Sequence, residues 1–130
     1  LKVLSKIPSY YFFRTAGRPK LLPMNLTASI TYRCNSHCKT CNIQKRSAQE
    51  LALSEWDNVF ASIGKSLFWV TISGGEPFLR RDISSIVRSL YDRCRPSIIN
   101  IPTNGVLSEH ITSGVQEIAK YCAYSQLVIN

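Results

Sequence analysis

Leu67-Phe68-Trp69-Val70-Thr71-Ile72-Ser73-Gly74-Gly75-Glu76-Pro77 is the stretch whose reading decides the fold. Residues 67–73 form a near-continuous apolar run, as expected of a strand covered on both faces. Two glycines then remove side chains. Glu76 sets an acceptor beside the bared backbone, and Pro77 has no N–H with which to extend a ladder. On either side of this stretch the pattern alternates. Upstream, Ser54-Glu55-Trp56-Asp57 reads as a capping-box variant, and Trp56, Val59, Phe60 and Ile63 give a helical face that stops at Gly64. Before that, Leu26-Thr-Ala-Ser-Ile-Thr-Tyr32 is rich in β-branched residues and reads as a strand leading into Cys34.

Downstream the order repeats. Asp82 is placed to cap a helix carrying Ile83, Ile86, Val87 and Leu90. Ile98-Ile99-Asn100-Ile101 follows as a strand, closed by Pro102-Thr103-Asn104-Gly105. Ser108 opens a helix with Ile111, Val115, Ile118 and Ala119, and Leu127-Val128-Ile129 begins a fourth strand. The series β-α-β-α-β-α-β predicts α/β architecture with parallel strands joined by right-handed crossovers. Periodicity does not choose between an open doubly wound sheet and part of a barrel. In both, ligands sit at the carboxyl ends of the strands. Three unusual loops fall at that edge: a cysteine cluster after the first strand, Gly-Gly-Glu-Pro after the second and Thr-Asn-Gly after the third.

The cluster is Cys34-Asn35-Ser36-His37-Cys38-Lys39-Thr40-Cys41, a C-x3-C-x2-C spacing. Three close thiolates without a local fourth can hold an iron–sulfur cube by three irons, leaving one iron open, whereas cluster ligation normally uses four cysteines. The same spacing also fits one face of a helix, but Asn35 and Ser36 favour turns. His37 could complete a Cys3His zinc set, although it adjoins Cys38 and neighbouring side chains rarely converge on one ion. A redox dithiol at Cys38 and Cys41 leaves Cys34 unexplained. Gly74 and Gly75 let backbone approach a ligand closely, and with Glu76 they suit an ammonium group. Read alone, that loop is a turn, and so is Thr103-Asn104-Gly105.

Together the loops resemble the radical S-adenosylmethionine (SAM) superfamily, on Cys34, Cys38 and Cys41, on Gly74-Gly75-Glu76-Pro77 and on Thr103-Asn104-Gly105. The resemblance spans residues 26–130. It implies the first half of a partial TIM-like barrel. It implies a 4Fe–4S cluster on the three cysteines, with SAM chelating the open iron and its methionyl ammonium group received by Gly74, Gly75 and Glu76. Pro77, Thr103 and Asn104 belong to the same implied cofactor site. The implied chemistry is reductive cleavage of SAM to a 5′-deoxyadenosyl radical that abstracts hydrogen from a substrate. No residue of this chain is required as a general base. The resemblance further implies a low-potential donor of flavodoxin or ferredoxin type and, by analogy with peptide-modifying members, a peptide substrate. Many members carry an aromatic residue before the third cysteine; here it is Thr40.

Composition sets the frame. The chain has 130 residues and a net charge of +8. Residues 1–46 hold nine Lys or Arg and no acid; the remainder is nearly neutral. Residues 1–25, broken by Pro8, Gly17, Pro19 and Pro23, read as a basic, aromatic extension with at most one short helix, and 26–130 as the core domain, truncated at its fourth strand. The chain starts at Leu1 and stops as a strand begins, so it reads as a piece of a longer protein. A basic arm could meet nucleic acid, an anionic membrane surface or an acidic peptide; the expected role is a solvated extension covering the rest of the protein. No apolar stretch reaches membrane-spanning length, and no secretory signal is evident. Cys94 and Cys122 are read as core residues of helices, and the cysteine usage fits a reducing cytoplasm. The competing reading is a non-enzymatic zinc module on Cys34, His37, Cys38 and Cys41, with the basic arm on nucleic acid or a partner.

Overall fold

The computed structural model describes residues 4–18 and 21–130. Helix α1 (Ile7–Ala16) precedes a sheet of four parallel strands, β1 (Asn25–Thr31), β2 (Trp69–Gly74), β3 (Ile98–Ile101) and β4 (Gln126–Ile129). The crossovers carry α2 (Leu53–Ile63), α3 (Ile83–Cys94) and α4 (Ser108–Ala119). Strand order is β1-β2-β3-β4. Every crossover therefore steps the same way, and right-handed connections of that kind stack all their helices on one face. A doubly wound sheet reverses at a switch point, and these four strands have none. The order is that of consecutive barrel units. α2 packs beside α3, and α3 beside α4.

The core lies between this helix layer and one face of the sheet. Ala28 and Ile30 of β1, Val70 and Ile72 of β2, and Ile99 and Ile101 of β3 are buried there against Phe60, Ile86, Val87, Leu90 and Ile118. Burying one such aliphatic side chain contributes about 1.5–3 kcal/mol. A slip of one residue in β2 would expose Val70 and Ile72 and bury Thr71 and Ser73, so the pattern fixes the register.

The other face corrects one expectation. Among the described residues β2 is fully buried on one face only: its apolar run divides into Leu67 and Phe68 ahead of the strand and an alternating Val70/Ile72 pair within it, and the other face is half-buried. The opposite face is largely polar. Thr27, Thr71, Asn100 and Val128 align across the four strands, with Ser29 and Ser73 one step further on. Trp69 lies on this face and donates from Nε1 to Thr71 Oγ1 at 3.0 Å.

Two helix starts also differ from expectation. α2 begins at Leu53, and the Glu55 carboxylate accepts the Ala52 N–H at 2.7 Å, so the capping pair sits two residues before Ser54 and Asp57. Asp82 does occupy the N-cap position of α3 but caps nothing, because its carboxylate is bonded to Arg80. In α4, Ile111 and Ile118 are buried while Ala119 is exposed. Cys94 closes α3; Cys122 lies in the turn after α4 rather than inside a helix. Both are buried, and burial pushes each thiol up to about 11.

The predicted short helix of the extension is α1, which starts with Pro8 in its first turn and ends at Gly17 with φ 69°. None of its side chains is buried. Lys6 Nζ donates to Ser66 O at 3.0 Å and Tyr10 to Leu22 O at 3.2 Å. Lys2, Pro19 and Lys20 of this stretch lie outside the described residues. Among the described residues no helix is long and apolar enough to cross a membrane.

Candidate functional site

Backbone contact joins the first two loops. Beyond the last paired strand residues, Gly75 N–H donates to Thr31 O at 2.7 Å and Glu76 N–H to Arg33 O at 2.9 Å. Glycine is required for this approach. A Cβ on Gly75 would collide with the Arg33 carbonyl and come within 3.1 Å of Cys34 Cβ; one on Gly74, whose φ is 129°, would collide with Thr31 O. β1 contains an irregularity here: Ser29 pairs with Ser73, but Thr31 pairs with Gly74, leaving Ile30 as an extra residue. In consequence Ile30 and Thr31 are both buried.

Glu76 joins the second loop to the third. The residue is 1% exposed. Oε1 accepts from Phe78 N–H at 3.1 Å and from the Thr103 hydroxyl at 2.9 Å, and Oε2 accepts from Asn104 N–H at 2.8 Å. About three of its four acceptor positions are therefore filled by protein. Pro77 opens the short 3₁₀ turn Pro77–Leu79. Asn104 closes the circuit. Its Nδ2 donates to Asn35 Oδ1 at 2.7 Å and Ser36 Oγ at 3.0 Å, while its Oδ1 accepts Val106 N–H at 3.0 Å. Thr103 N–H reaches Asn130 O at the end of β4, at 2.7 Å.

The cysteine segment is irregular, not helical. Ser36 N–H donates to Cys34 Sγ at 3.4 Å, and Cys41 N–H to Cys38 O at 3.1 Å. Cys34 is half-buried; Cys38 and Cys41 are exposed; all three are free thiols. His37 and Thr40 are exposed. Among the described residues no three His, Cys, Asp or Glu side chains are drawn together around one point. Neither the three thiols nor the Cys3His set is preassembled. A cleft of roughly 530 Å³ opens beside Cys34, lined by Tyr32, Arg33, Gln44, Arg46 and Glu50 among others.

Two residues of this edge escaped the sequence reading. Glu50 accepts from the Thr31 hydroxyl at 2.5 Å, from Tyr32 N–H at 3.3 Å and from Arg33 Nη2 at 3.3 Å. Burial pushes its carboxyl up, but the Thr31 hydroxyl, the Arg33 charge and the Tyr32 N–H outweigh that and hold it below the ordinary value. Arg80 is 5% exposed. Its guanidinium donates to Ile30 O at 2.6 Å, Leu51 O at 2.7 Å and both Asp82 oxygens at 2.8 and 3.2 Å. A signal for Glu50 did exist, since it is the first acid of the chain. Arg80 gave none, because a basic residue in a turn is ordinarily solvated.

No protein-family model matches the chain. It is 36% identical over 98 residues to the PqqA peptide cyclase of Methylobacterium nodulans, covering 72% of this chain and 23% of that protein. It is 34% identical over 89 residues to the GTP 3′,8-cyclase of Aliarcobacter butzleri, covering 63% and 27%. The chain thus spans about a quarter of the length of these relatives. Among solved structures, BtrN in complex with AdoMet and 2-DOIA superposes with a TM-score of 0.59 over 77% of this chain and 44% of its own, at 16% identity, a likeness of fold.

Proposed function

The chain is related to the radical SAM superfamily over part of that family's length, and from this premise we propose that it is the amino-terminal part of an enzyme of that class. The carrying observation is the hydrogen-bonded circuit that ties the cysteine, Gly-Gly-Glu-Pro and Thr-Asn-Gly loops together at the carboxyl edge of the sheet. The proposed organisation is a basic extension over residues 1–25 and a core from residue 26 onward.

The residues fit the implied cofactors in donor chemistry. Cys34, Cys38 and Cys41 are free, lie on one loop and supply the soft thiolates an iron–sulfur cluster takes. The missing Cβ atoms of Gly74 and Gly75 bring the second loop against the backbone of Arg33 and Cys34. Cys34, Cys38 and Cys41 would hold a 4Fe–4S cluster, whose chemistry there would be low-potential electron transfer for reductive cleavage of SAM. The chain's own part is positioning. Gly74, Gly75, Glu76 and Pro77 would border the methionyl end of SAM, with about one acceptor position of Glu76 still open. Thr103 and Asn104 hold that carboxylate and the Asn35-Ser36 turn in place. The proposed substrate is a peptide, the class named in the 36% identical relative; GTP, named in the other, is the comparison assay. A flavodoxin- or ferredoxin-like donor would supply electrons. Five free thiols suit a reducing compartment, and we place the protein in the cytoplasm.

Anaerobic reconstitution of the full-length protein tests this. The expected product is brown, with about four irons and four sulfides on the triad. Its reduced electron paramagnetic resonance spectrum changes on adding SAM, and 5′-deoxyadenosine forms under reducing conditions. A colourless protein holding one zinc, weakened by His37→Ala, would overturn the reading in favour of the metal module.

A further inference from the structure

We infer that Arg80 is the positioning residue of the cysteine loop: it clamps the two stems of residues 32–50 and so sets where the three thiols are presented. The inference deepens the proposed function and rests on it for its meaning. It stands geometrically on Arg80 alone.

The loop leaves the sheet after β1 and returns at α2. Its outgoing stem is marked by Ile30 O and its returning stem by Leu51 O. One guanidinium holds both, Nη1 to Ile30 at 2.6 Å and Nη2 to Leu51 at 2.7 Å. A rigid planar fork can bridge two carbonyls at fixed separation; an ammonium on a flexible stem cannot do so in the same way. The Ile30 carbonyl belongs to the extra residue of β1, at the break in the ladder to β2. Asp82 supports the fork from behind with two further bonds, and Glu50 Oε2 lies 4.0 Å from Nη1. The diversion of Asp82 is informative. A carboxylate at the N-cap of α3 would ordinarily satisfy the helix's own N–H groups, yet here it is given to the guanidinium. The local sequence gives up a helix cap to hold the clamp.

Arg80 also follows Gly-Gly-Glu-Pro directly, carried by the turn Pro77–Leu79. One continuous segment therefore borders the implied SAM site with residues 74–77 and fixes the implied cluster loop with residue 80. Movement in either would be felt by the other without any contact between ligands.

The test uses the full-length protein in metal-free form, where cluster binding plays no part. In Arg80→Lys and Arg80→Gln, hydrogen exchange of residues 32–51 is expected to rise by about tenfold or more, the scale of losing a charge-assisted bond to a carbonyl, with β2 and β3 unchanged. Should Arg80 variants fail to fold, Asp82→Asn, which loosens the fork without removing it, is expected to give a smaller rise confined to the same segment. Arg80→Ala supplemented with ethylguanidinium is expected to regain protection, a rescue that general destabilisation would not show. Unchanged loop exchange in a folded variant, or a uniform rise across the sheet, overturns the inference. Iron uptake by the wild-type protein is scored separately. If the wild type takes up no cluster while loop exchange responds as stated, the clamp stands and the proposed function falls.

Discussion

Asn104 Nδ2 donates to Asn35 Oδ1 at 2.7 Å, joining the loop after β3 to the cysteine loop across 69 residues of sequence. The same nitrogen reaches Ser36 Oγ, so one amide holds the turn that follows Cys34. Asn104→Asp keeps the acceptor for Val106 N–H but loses both donors; Asn104→Ala loses everything. Both variants should therefore loosen the Asn35-Ser36 turn, Asn104→Asp at a cost of about 1 kcal/mol in unfolding free energy and Asn104→Ala at a greater one, because Val106 N–H loses its acceptor as well. Denaturant midpoints check this. An Asn104→Asp protein as stable as wild type would remove the amide donors from the account.

Glu76→Gln is nearly isosteric but replaces one accepting oxygen with a donor. Either Asn104 N–H, or Phe78 N–H together with the Thr103 hydroxyl, is then left facing an amide nitrogen in a buried site. The expected loss is about 1–3 kcal/mol. Calorimetry or urea melts should place Glu76→Gln below wild type by at least as much as Asn104→Asp.

Gly75→Ala forces apart backbones that now touch, because the new methyl meets the Arg33 carbonyl. Since that neighbour is backbone and not a flexible tip, the strain is expected to cost about 1–3 kcal/mol. Exchange of the Glu76 amide, which bonds Arg33 O, reports the separation directly. Its protection should fall in Gly75→Ala.

The five thiols should divide sharply on alkylation. Cys94 and Cys122 are buried with thiols pushed up to about 11, so near pH 8 only about one in a thousand is thiolate. Iodoacetamide on the native metal-free protein is expected to modify Cys34, Cys38 and Cys41 and to spare the other two, as read by peptide mass spectrometry.

Acid should weaken the stems of the cysteine loop before the core. Glu50 and Asp82 both titrate below their ordinary values of 4.5 and 3.8. For Asp82 the first cause is its bond to Arg80. A lowered carboxyl binds fewer protons folded than unfolded. Its stabilisation is therefore complete above the ordinary value and is lost as pH falls through the lowered one. Amide exchange of residues 30–33 and 50–52 is expected to accelerate below about pH 4.5 while β2 and β3 remain protected. In Glu50→Gln that acceleration should be reduced.

The strands and helices were legible because their signals are local. β3 spans Ile98–Ile101 as read, and β1, β2 and β4 shift by one or two residues at their ends. The choice between open sheet and barrel-type order was not legible from periodicity, since it depends on which way each crossover steps. The misplaced start of α2 has a similar cause: Ala52 offers no side-chain cap, and only the reciprocal bond from Glu55 marks the end. At the site, the sequence exposed the residue types and the shared edge. It did not expose their wiring. Glu76 read as an acceptor for a ligand, and its engagement by Thr103 and Asn104 depends on two loops meeting in space. Arg80 stayed hidden for the same reason, because nothing local reveals a guanidinium turned inward toward the carbonyls of Ile30 and Leu51, whereas Glu50 was marked only by being the first acid after a basic stretch.

The spare residue in β1 makes chain length at this point a structural quantity. Removing one residue among Ser29, Ile30 and Thr31 would let the ladder with β2 run on evenly, rotating everything after it by half a pleat. The first thiol would then leave the sheet on the wrong side, and the carbonyl that Arg80 grips would return to its partner strand. A single-codon deletion here should be far more harmful than one in the 42–49 arc, although both shorten the same connection equally.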